Sequence, residues 1–173
     1  MEHRSAALEL RTAGRRLVGY AAVFDVPAVI GGFSETIRPG AFRASLTSGR
    51  DVLALVDHDQ ARLLGRTGSG TLKLVEDARG LAFDIALPET QLGSDILALA
   101  ERRDLGGMSF GFKATDDAWP SSDRRELRAV DLFEISIVQA FPAYCQTTVS
   151  ARAKMLGRIE AHTRLRRIIL ETI

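Results

Sequence analysis

The stretch Gly106-Gly107-Met108-Ser109-Phe110-Gly111-Phe112 decides how the rest of the chain is interpreted. Its paired glycines end a segment with helical periodicity, and the alternating aromatic run that follows predicts a strand. Ser109 is the only hydroxyl residue of that run and has glycine on both flanks. Glycine permits unusual backbone angles and the close approach of another group. Ser109 is therefore either an ordinary turn hydroxyl or a nucleophile, and its neighbours in the fold decide which.

The composition is that of one globular domain with an appendage. The 173 residues are 46% hydrophobic, which is enough for a real core. The formal net charge of +1 gives no field that favours nucleic acid or an acidic partner. The single cysteine, Cys145, allows no intramolecular disulfide and is typical of a reducing compartment. We see neither a signal peptide nor an apolar run near the ~20 residues of a membrane helix, so we expect a soluble cytoplasmic protein.

Strand patterns dominate the sequence. Alternating apolar residues between turn signals predict about eight strands, against one or two short helices and a terminal helix. The clearest hairpin covers residues 71–87, and a helix is predicted over residues 94–103 with Ser94 as its N-cap. The N-terminal residues, with His3, are expected to form a frayed tail. Short strands in hairpin order around one core predict a mostly β fold, either a barrel or a closed sandwich.

The character of the chain changes near residue 150. Apolar residues spaced among many arginines predict a basic amphipathic helix over residues 150–173. We therefore divide the chain into a β domain, residues 1–149, and a basic helical tail, residues 150–173. The basic run is short and lacks interleaved aromatic residues, which disfavours membrane or nucleic-acid binding.

Of the three histidines, His58 is the best candidate for a catalytic or ligand-binding role. It follows a compact apolar strand, whereas His3 lies in the predicted tail and His162 in the basic helix. One interpretation is a rim histidine that pairs with Asp57 or Asp59. A metal site built from these three neighbours is disfavoured, because adjacent strand residues point to opposite faces and no second His or Cys cluster completes the ligand set. We therefore predict no metal and no cofactor.

Glu134 lies in an otherwise apolar strand. A carboxylate in such surroundings is unfavourable unless it is paired, and an imidazole N–H would satisfy it. The alternative is a solvated residue on an edge strand. Ser136 shares its face, and Asp131 is a competing but more exposed acid. Nucleophilic catalysis needs a hydroxyl, a base and an orienting group that meet in space, which makes Ser109, His58 and Glu134 the candidate set.

Several blocks of this sequence, in this order, resemble the prohead (capsid-maturation) serine proteases of tailed bacteriophages. The similarity covers residues 17–148, most of the chain. The blocks are Ile37-Arg38-Pro39-Gly40-Ala41-Phe42, Val56-Asp57-His58-Asp59 with Leu64-Gly65-Arg66, Leu87-Pro88 leading to Leu105-Gly106-Gly107-Met108-Ser109-Phe110-Gly111-Phe112, and Leu132-Phe133-Glu134-Ile135-Ser136-Ile137-Val138 with Pro142-Ala143-Tyr144.

The resemblance implies a fold similar to herpesvirus assemblin, a closed antiparallel β-barrel flanked by helices. It implies a serine endopeptidase with Ser109 as nucleophile, His58 as general base and Glu134 as the third member. Its substrates would be scaffold segments and the N-terminal extension of the major capsid protein, cut inside an assembling procapsid in the cytoplasm of a host bacterium. A homo-oligomer is possible, and the source would be a phage, a prophage or a gene transfer particle.

Other functions remain open at this point. One is a catalytically silent barrel that binds capsid or scaffold as an assembly factor. An esterase-like hydrolase is disfavoured, because residues 107–111 have the spacing of a Gly-x-Ser-x-Gly elbow but lead into a strand and not a helix. Arg66 is either a cationic helper or a solvated side chain. The basic tail would hold acidic scaffold or capsid segments, be removed by self-cleavage, or simply pack on the barrel.

Overall fold

The structure, a computed structural model, describes residues 1–6, 10–12 and 14–140. Cys145 and the predicted basic helix at residues 150–173 lie outside the described residues. No helix of the described part is both long enough and apolar enough to cross a membrane.

The described residues are mostly β, as predicted. They form eleven strands and two helices. In chain order the elements are β1 (Glu2–Ala6), β2 (Leu10–Thr12), β3 (Arg16–Val23), β4 (Ala28–Ile30), β5 (Phe33–Ile37), α1 (Arg43–Thr47), β6 (Leu53–Val56), β7 (Asp59–Arg66), β8 (Leu72–Glu76), β9 (Gly80–Ala86), α2 (Gln91–Arg102), β10 (Gly107–Ser121) and β11 (Arg124–Val138). The hairpin predicted at residues 71–87 is confirmed as β8 and β9.

The strands form two separate sheets, and neither closes into the predicted barrel. The larger sheet has the order β1-β10-β11-β5-β4, with β6 beside β11 and β7 beside β6; the smaller has the order β2-β3-β9-β8. The long β11 pairs in parallel with β5 near its start and with β6 near its end. The larger sheet therefore branches instead of closing. Parallel pairs need crossover connections, which an expectation based on hairpin order does not foresee.

One cluster of buried apolar side chains joins the two sheets and α2. Phe110 of β10 lies at its centre, with ring contacts of 5.5 Å to Phe42 and 5.2 Å to Phe112 between centroids. Ile85 of the smaller sheet and Ile96 of α2 belong to the same cluster. Burying large side chains of this kind stabilises a fold by roughly 1.5–3 kcal/mol each. The cluster uses one face of β10 and β11 and leaves the other face for polar residues.

Helix α2 begins earlier than predicted. Thr90 is its N-cap, and the Thr90 Oγ1 accepts a hydrogen bond from the Gly93 N–H at 3.3 Å. Ser94, the predicted cap, lies inside the first turn and donates its own N–H to the Thr90 carbonyl at 3.0 Å. The helix ends where Arg103 turns into the left-handed region at φ 62°. Both Thr90 and Ser94 are good capping residues, so composition alone did not separate them.

The N-terminal residues form strand β1 and not the frayed tail that was predicted. Strand β1 pairs antiparallel with β10. An ion pair between Arg4 and the buried Glu35 of β5 attaches strand β1 to the rest of the sheet. The Arg4 guanidinium donates to both carboxylate oxygens of Glu35, with Nη2–Oε2 at 2.8 Å. Arg125 donates to the same carboxylate at 3.1 Å. A two-pronged contact of this type has a fixed geometry. It therefore holds His3 at a defined place on the sheet.

Candidate active site

The face of β10 and β11 that points away from the core carries the candidate residues. Phe110 points into the core, so Ser109 and Gly111, its neighbours in the strand, lie on the opposite face. The antiparallel register places Ser109 opposite Ser136 and Gly111 opposite Glu134. Two of the three predicted site residues therefore lie on one sheet face, in neighbouring register positions.

Glu134 reaches this face because β11 contains a bulge. Phe112 pairs with Leu132 while Gly111 pairs with Glu134, so Phe133 is an extra residue without a register partner. In a regular strand Leu132 and Glu134 would share a face, yet Leu132 belongs to the core cluster. A bulge shifts the alternation by one residue and redirects the side chains that follow. The bulge thus places the carboxylate on the polar side of the sheet.

His58 lies in the tight turn that follows strand β6. Asp57 and His58 have φ angles of 52° and 62°, in the left-handed region, where Asp and His are among the more common non-glycine residues. The Asp57 N–H donates to the Ile137 carbonyl at 2.9 Å, and the His58 N–H donates to Ser136 Oγ at 3.2 Å. Each of the two turn residues is therefore hydrogen-bonded to β11 through its backbone N–H group. The turn directs the imidazole toward Glu134.

The carboxylate of Glu134 is the centre of the polar network. It is 3% exposed, and its Oε1 accepts a hydrogen bond of 2.7 Å from His58 Nδ1. The same oxygen accepts one of 3.2 Å from His3 Nδ1, and Oε2 accepts one of 2.6 Å from the Ser136 hydroxyl. The burial of a charged group is offset only when such partners are present. The structure thus brings His58 and Glu134 into direct contact.

His3 is the site residue that the sequence did not reveal. Its ring lies 4.1 Å from that of His58 between centroids, in an edge-to-face arrangement. Burial lowers the pKa of His3, and the neighbouring His58 lowers it further, while Glu134 acts in the opposite direction. Its contact with Glu134 spans 131 positions of the chain and depends on the pairing of β1 with β10. No local pattern signals such a contact.

Ser109 lies on the same sheet face as Glu134, but its hydroxyl forms no hydrogen bond with any described residue. The side chain is fully buried, and within the described part of the chain the Oγ atom has no hydrogen-bond partner. Leaving a buried hydroxyl unpaired costs roughly 1–3 kcal/mol, so packing alone gives no reason for a serine here. Ser136, directly across the ladder, uses its own hydroxyl for Glu134. In this structure Ser109 shares the sheet face of the His58–Glu134 pair but is not hydrogen-bonded to it.

A comparison with protein families identifies the family of this chain. The model of the family described as caudovirus prohead serine protease matches residues 3–162. The chain belongs to that family. The match confirms the resemblance drawn from the sequence blocks, and it extends over β1 and His3 at one end. No curated relative matches the sequence.

A solved structure shows the same fold as this prohead protease family member. The bacteriophage T4 capsid assembly protease, gp21, superposes with a TM-score of 0.54 at 9% sequence identity. The similarity covers 80% of this chain and 96% of that chain. At this identity the comparison concerns the fold alone. The fold of this prohead protease family member is thus similar to that of a phage capsid assembly protease.

Three residues that the sequence analysis weighed lie outside the network of this family member. Asp57 accepts from Arg62 and from the Gln139 N–H, both at 2.9 Å, and so does not pair with His58. Arg66 donates to Asp51 at 2.6 Å from Nε and is a surface ion pair. Asp131, the competing acid, contacts Arg50 at 3.5 Å and is partly exposed.

Gly111 makes room for the carboxylate. A Cβ atom built on Gly111 would lie 2.4 Å from Glu134 Oε1, well inside van der Waals contact. Any side chain here would displace the oxygen that accepts from His58 and His3. Glycine is therefore required at position 111 because the carboxylate of Glu134 approaches the backbone there. The sequence predicted such a role for glycine without showing which group approaches.

Proposed function

We propose that the chain is a serine endopeptidase that cleaves scaffold segments and the N-terminal segment of the major capsid protein during procapsid maturation. Membership in the prohead serine protease family supports a capsid-maturation protease. The observation that carries the mechanism is the 2.7 Å hydrogen bond between His58 Nδ1 and Glu134 Oε1, on the sheet face that also holds Ser109. A base oriented by a carboxylate beside a hydroxyl is the arrangement that nucleophilic catalysis needs.

In the proposed mechanism Glu134 fixes the tautomer of His58. The carboxylate accepts a hydrogen bond from the Nδ1–H group, so the proton stays on Nδ1 and the lone pair is on Nε2. Nε2 takes the proton of Ser109 as Oγ attacks the scissile carbonyl, and then gives it to the departing amine. Water, deprotonated by the same nitrogen, then attacks the acyl carbonyl, and that proton passes to Ser109 Oγ as the acyl group leaves. Engagement of Ser109 with Nε2 accompanies substrate binding, since catalytic hydrogen bonds often tighten only in the complex.

Ser136 is a positioning residue in this mechanism. Its hydroxyl donates to Glu134 Oε2 at 2.6 Å and accepts the His58 N–H at 3.2 Å. It therefore connects the carboxylate to the turn that carries the base. Hydrogen bonds of this kind keep catalytic groups within the narrow geometry that the reaction requires.

A catalytically silent capsid-binding or scaffold-binding assembly factor is the second candidate. The observation that favours it is the burial of Ser109, whose hydroxyl has no partner among the described residues. A protein that only binds its partners needs no accessible nucleophile. The two functions differ in whether any peptide bond is cut, so one experiment separates them.

The test is co-expression with the major capsid protein from the same source, followed by mass spectrometry of the capsid N-terminus. We expect a shortened capsid protein with the unaltered chain and with the control Ser122→Ala, and a full-length one with Ser109→Ala. Ser122 is an exposed turn residue and makes a suitable match. Cleavage that persists in Ser109→Ala would move the nucleophile elsewhere. An uncut capsid protein that assembles only in the presence of the chain would establish the assembly factor.

Gly111→Ala should lower kcat/KM by about 10²-fold, the effect expected of misplacing a catalytic group by roughly 1 Å. The new methyl group would lie 2.4 Å from the present position of Glu134 Oε1 and would displace that oxygen. Peptide-cleavage kinetics measure the loss. Gly32→Ala is the matched control, because no atom of the described residues lies within 4 Å of a Cβ at that glycine. Equal activity of the two variants would mean that Glu134 need not occupy its observed position.

A further inference from the structure

Two imidazoles and one carboxylate converge on the polar face of the larger sheet. The ligand atoms of His3, His58 and Glu134 all lie within 4.8 Å of one another. They come from three elements, β1, the turn after β6, and β11, each attached to the same sheet. The positions of these side chains are therefore set by backbone pairing before any ligand arrives.

We propose that His3, His58 and Glu134 bind one Zn²⁺ ion, and that the bound ion switches the protease off. The ion-binding half of the proposal rests on geometry alone, and the inhibitory half rests on the proposed function. The site shares only His58 with the Asp57-His58-Asp59 group that the sequence analysis set aside. Two His nitrogens and one Glu oxygen form a common zinc ligand set, which leaves the fourth tetrahedral position for water.

The two distances to the carboxylate fit a tetrahedral ion after a small movement, and all three ligand atoms lie within 4.8 Å of one another. Ligand distances of about 2.0–2.1 Å around zinc place neighbouring ligand atoms about 3.3 Å apart. His3 Nδ1 and Glu134 Oε1 are 3.2 Å apart, close to that value. His58 Nδ1 and the same oxygen are 2.7 Å apart and must separate slightly. The His3 and His58 side chains are 38% and 29% exposed, so they have room to move and the ion can enter from solvent.

The surroundings of the carboxylate favour metal binding. Ser136 holds Glu134 Oε2 at 2.6 Å and leaves Oε1 facing the two imidazoles. Partners of this kind around a metal site orient the ligands and raise affinity. Zinc also relieves a crowded arrangement, because a single carboxylate oxygen otherwise serves both rings.

Ligation and catalysis exclude each other at His58. As a base, His58 carries its proton on Nδ1 and keeps Nε2 free for the Ser109 proton. An ion bound to Nδ1 requires that proton to move to Nε2 through solvent, with no net gain or loss. Nε2 then has no lone pair to offer, and Glu134 Oε1 no longer accepts from the ring. Zinc therefore blocks the proton transfer without contacting Ser109.

The test is equilibrium dialysis of Zn²⁺ against the full chain carrying Ser109→Ala, which needs no activity. We expect one ion per chain, with affinity weakened at least ~10-fold by His3→Gln and by His58→Gln, since even indirect partners of a metal site contribute that much. His162→Gln and Cys145→Ser are the controls for other zinc-binding side chains and should change nothing. Co²⁺ should give the visible absorption of a tetrahedral ion, lost in the same two variants.

A second arm measures peptide cleavage by the unaltered chain against free zinc, with reversal by a chelator. We expect inhibition at the concentration that fills the site, shifted at least ~10-fold upward by His3→Gln. Binding that neither histidine variant weakens, or no binding in the micromolar range, would overturn the site. Full activity with the site occupied would overturn the inhibition. If the unaltered chain cleaves nothing, the proposed function fails while the dialysis still decides the site.

Discussion

Replacing Ser109 with alanine should lower kcat/KM by about 10⁴- to 10⁶-fold, and adding His58→Ala to that variant should lower it little further. In the proposed mechanism the two residues carry out one step, transfer of the serine proton during attack, so losing either one loses the step. What remains in each variant comes from substrate binding, which both substitutions leave in place. Kinetics on a peptide that spans the capsid cleavage site measure Ser109→Ala, His58→Ala and the double variant.

The matched control is His162→Ala, which removes a histidine from the predicted basic tail and should leave the kinetics unchanged. Effects of Ser109→Ala and His58→Ala that multiply in the double variant would contradict a shared step. Equal thermal unfolding of the variants is needed alongside. The unaltered Ser109 hydroxyl has no partner among the described residues, so its removal should not reduce stability.

Glu134→Gln should lower kcat by about 10⁴-fold with little change in KM, as expected when the orienting carboxylate of a base is replaced by an amide. The amide nitrogen donates where the carboxylate accepts, so it favours the tautomer of His58 with its proton on Nε2. That tautomer has no lone pair for the proton of Ser109. The glutamine side chain is the same size as that of Glu134, and its amide oxygen can still accept from the Ser136 hydroxyl. The fold should therefore persist, which thermal unfolding would show.

Asp131→Asn is the matched control for this prediction. Asp131 is on the same strand and was the rival acid, but its carboxylate contacts Arg50 and not His58. We expect its activity to remain near that of the unaltered chain. A large loss in Asp131→Asn together with a small one in Glu134→Gln would place the orienting acid at Asp131.

The contact between His58 and Glu134 could be anticipated because each residue carries a local signal. A histidine directly after a compact apolar strand and a carboxylate within an apolar strand are both conspicuous against their neighbours. A buried carboxylate requires a partner, and an imidazole at a strand end was available. The geometry of the contact could not be anticipated. It depends on the left-handed turn at Asp57 and His58 and on the parallel pairing of β6 with β11.

Pairings between distant segments explain what the sequence did not predict. The β8–β9 hairpin follows from a short turn between alternating strands, so it was found. The pairing of β1 with β10 joins residues about a hundred positions apart, and nothing in the first six residues indicates it. The buried contact between Arg4 and Glu35 is equally hidden, because both residues are typical of exposed surfaces. His3 was consequently assigned to a tail.

The extra residue at Phe133 constrains how the length of this protein can vary. Losing Phe133 alone would leave Leu132 and Glu134 adjacent and still on opposite faces, whereas losing one residue between Glu134 and Ile137 would exchange the two faces of the strand beyond it. Additions at the exposed tip between β10 and β11, residues 122–123, leave that order intact. Alignments of related proteases should therefore admit a one-residue gap at Phe133 and gaps at the tip, and keep gaps out of the segment from Glu134 to Ile137. The same tip is the natural place to insert a label or a reporter peptide.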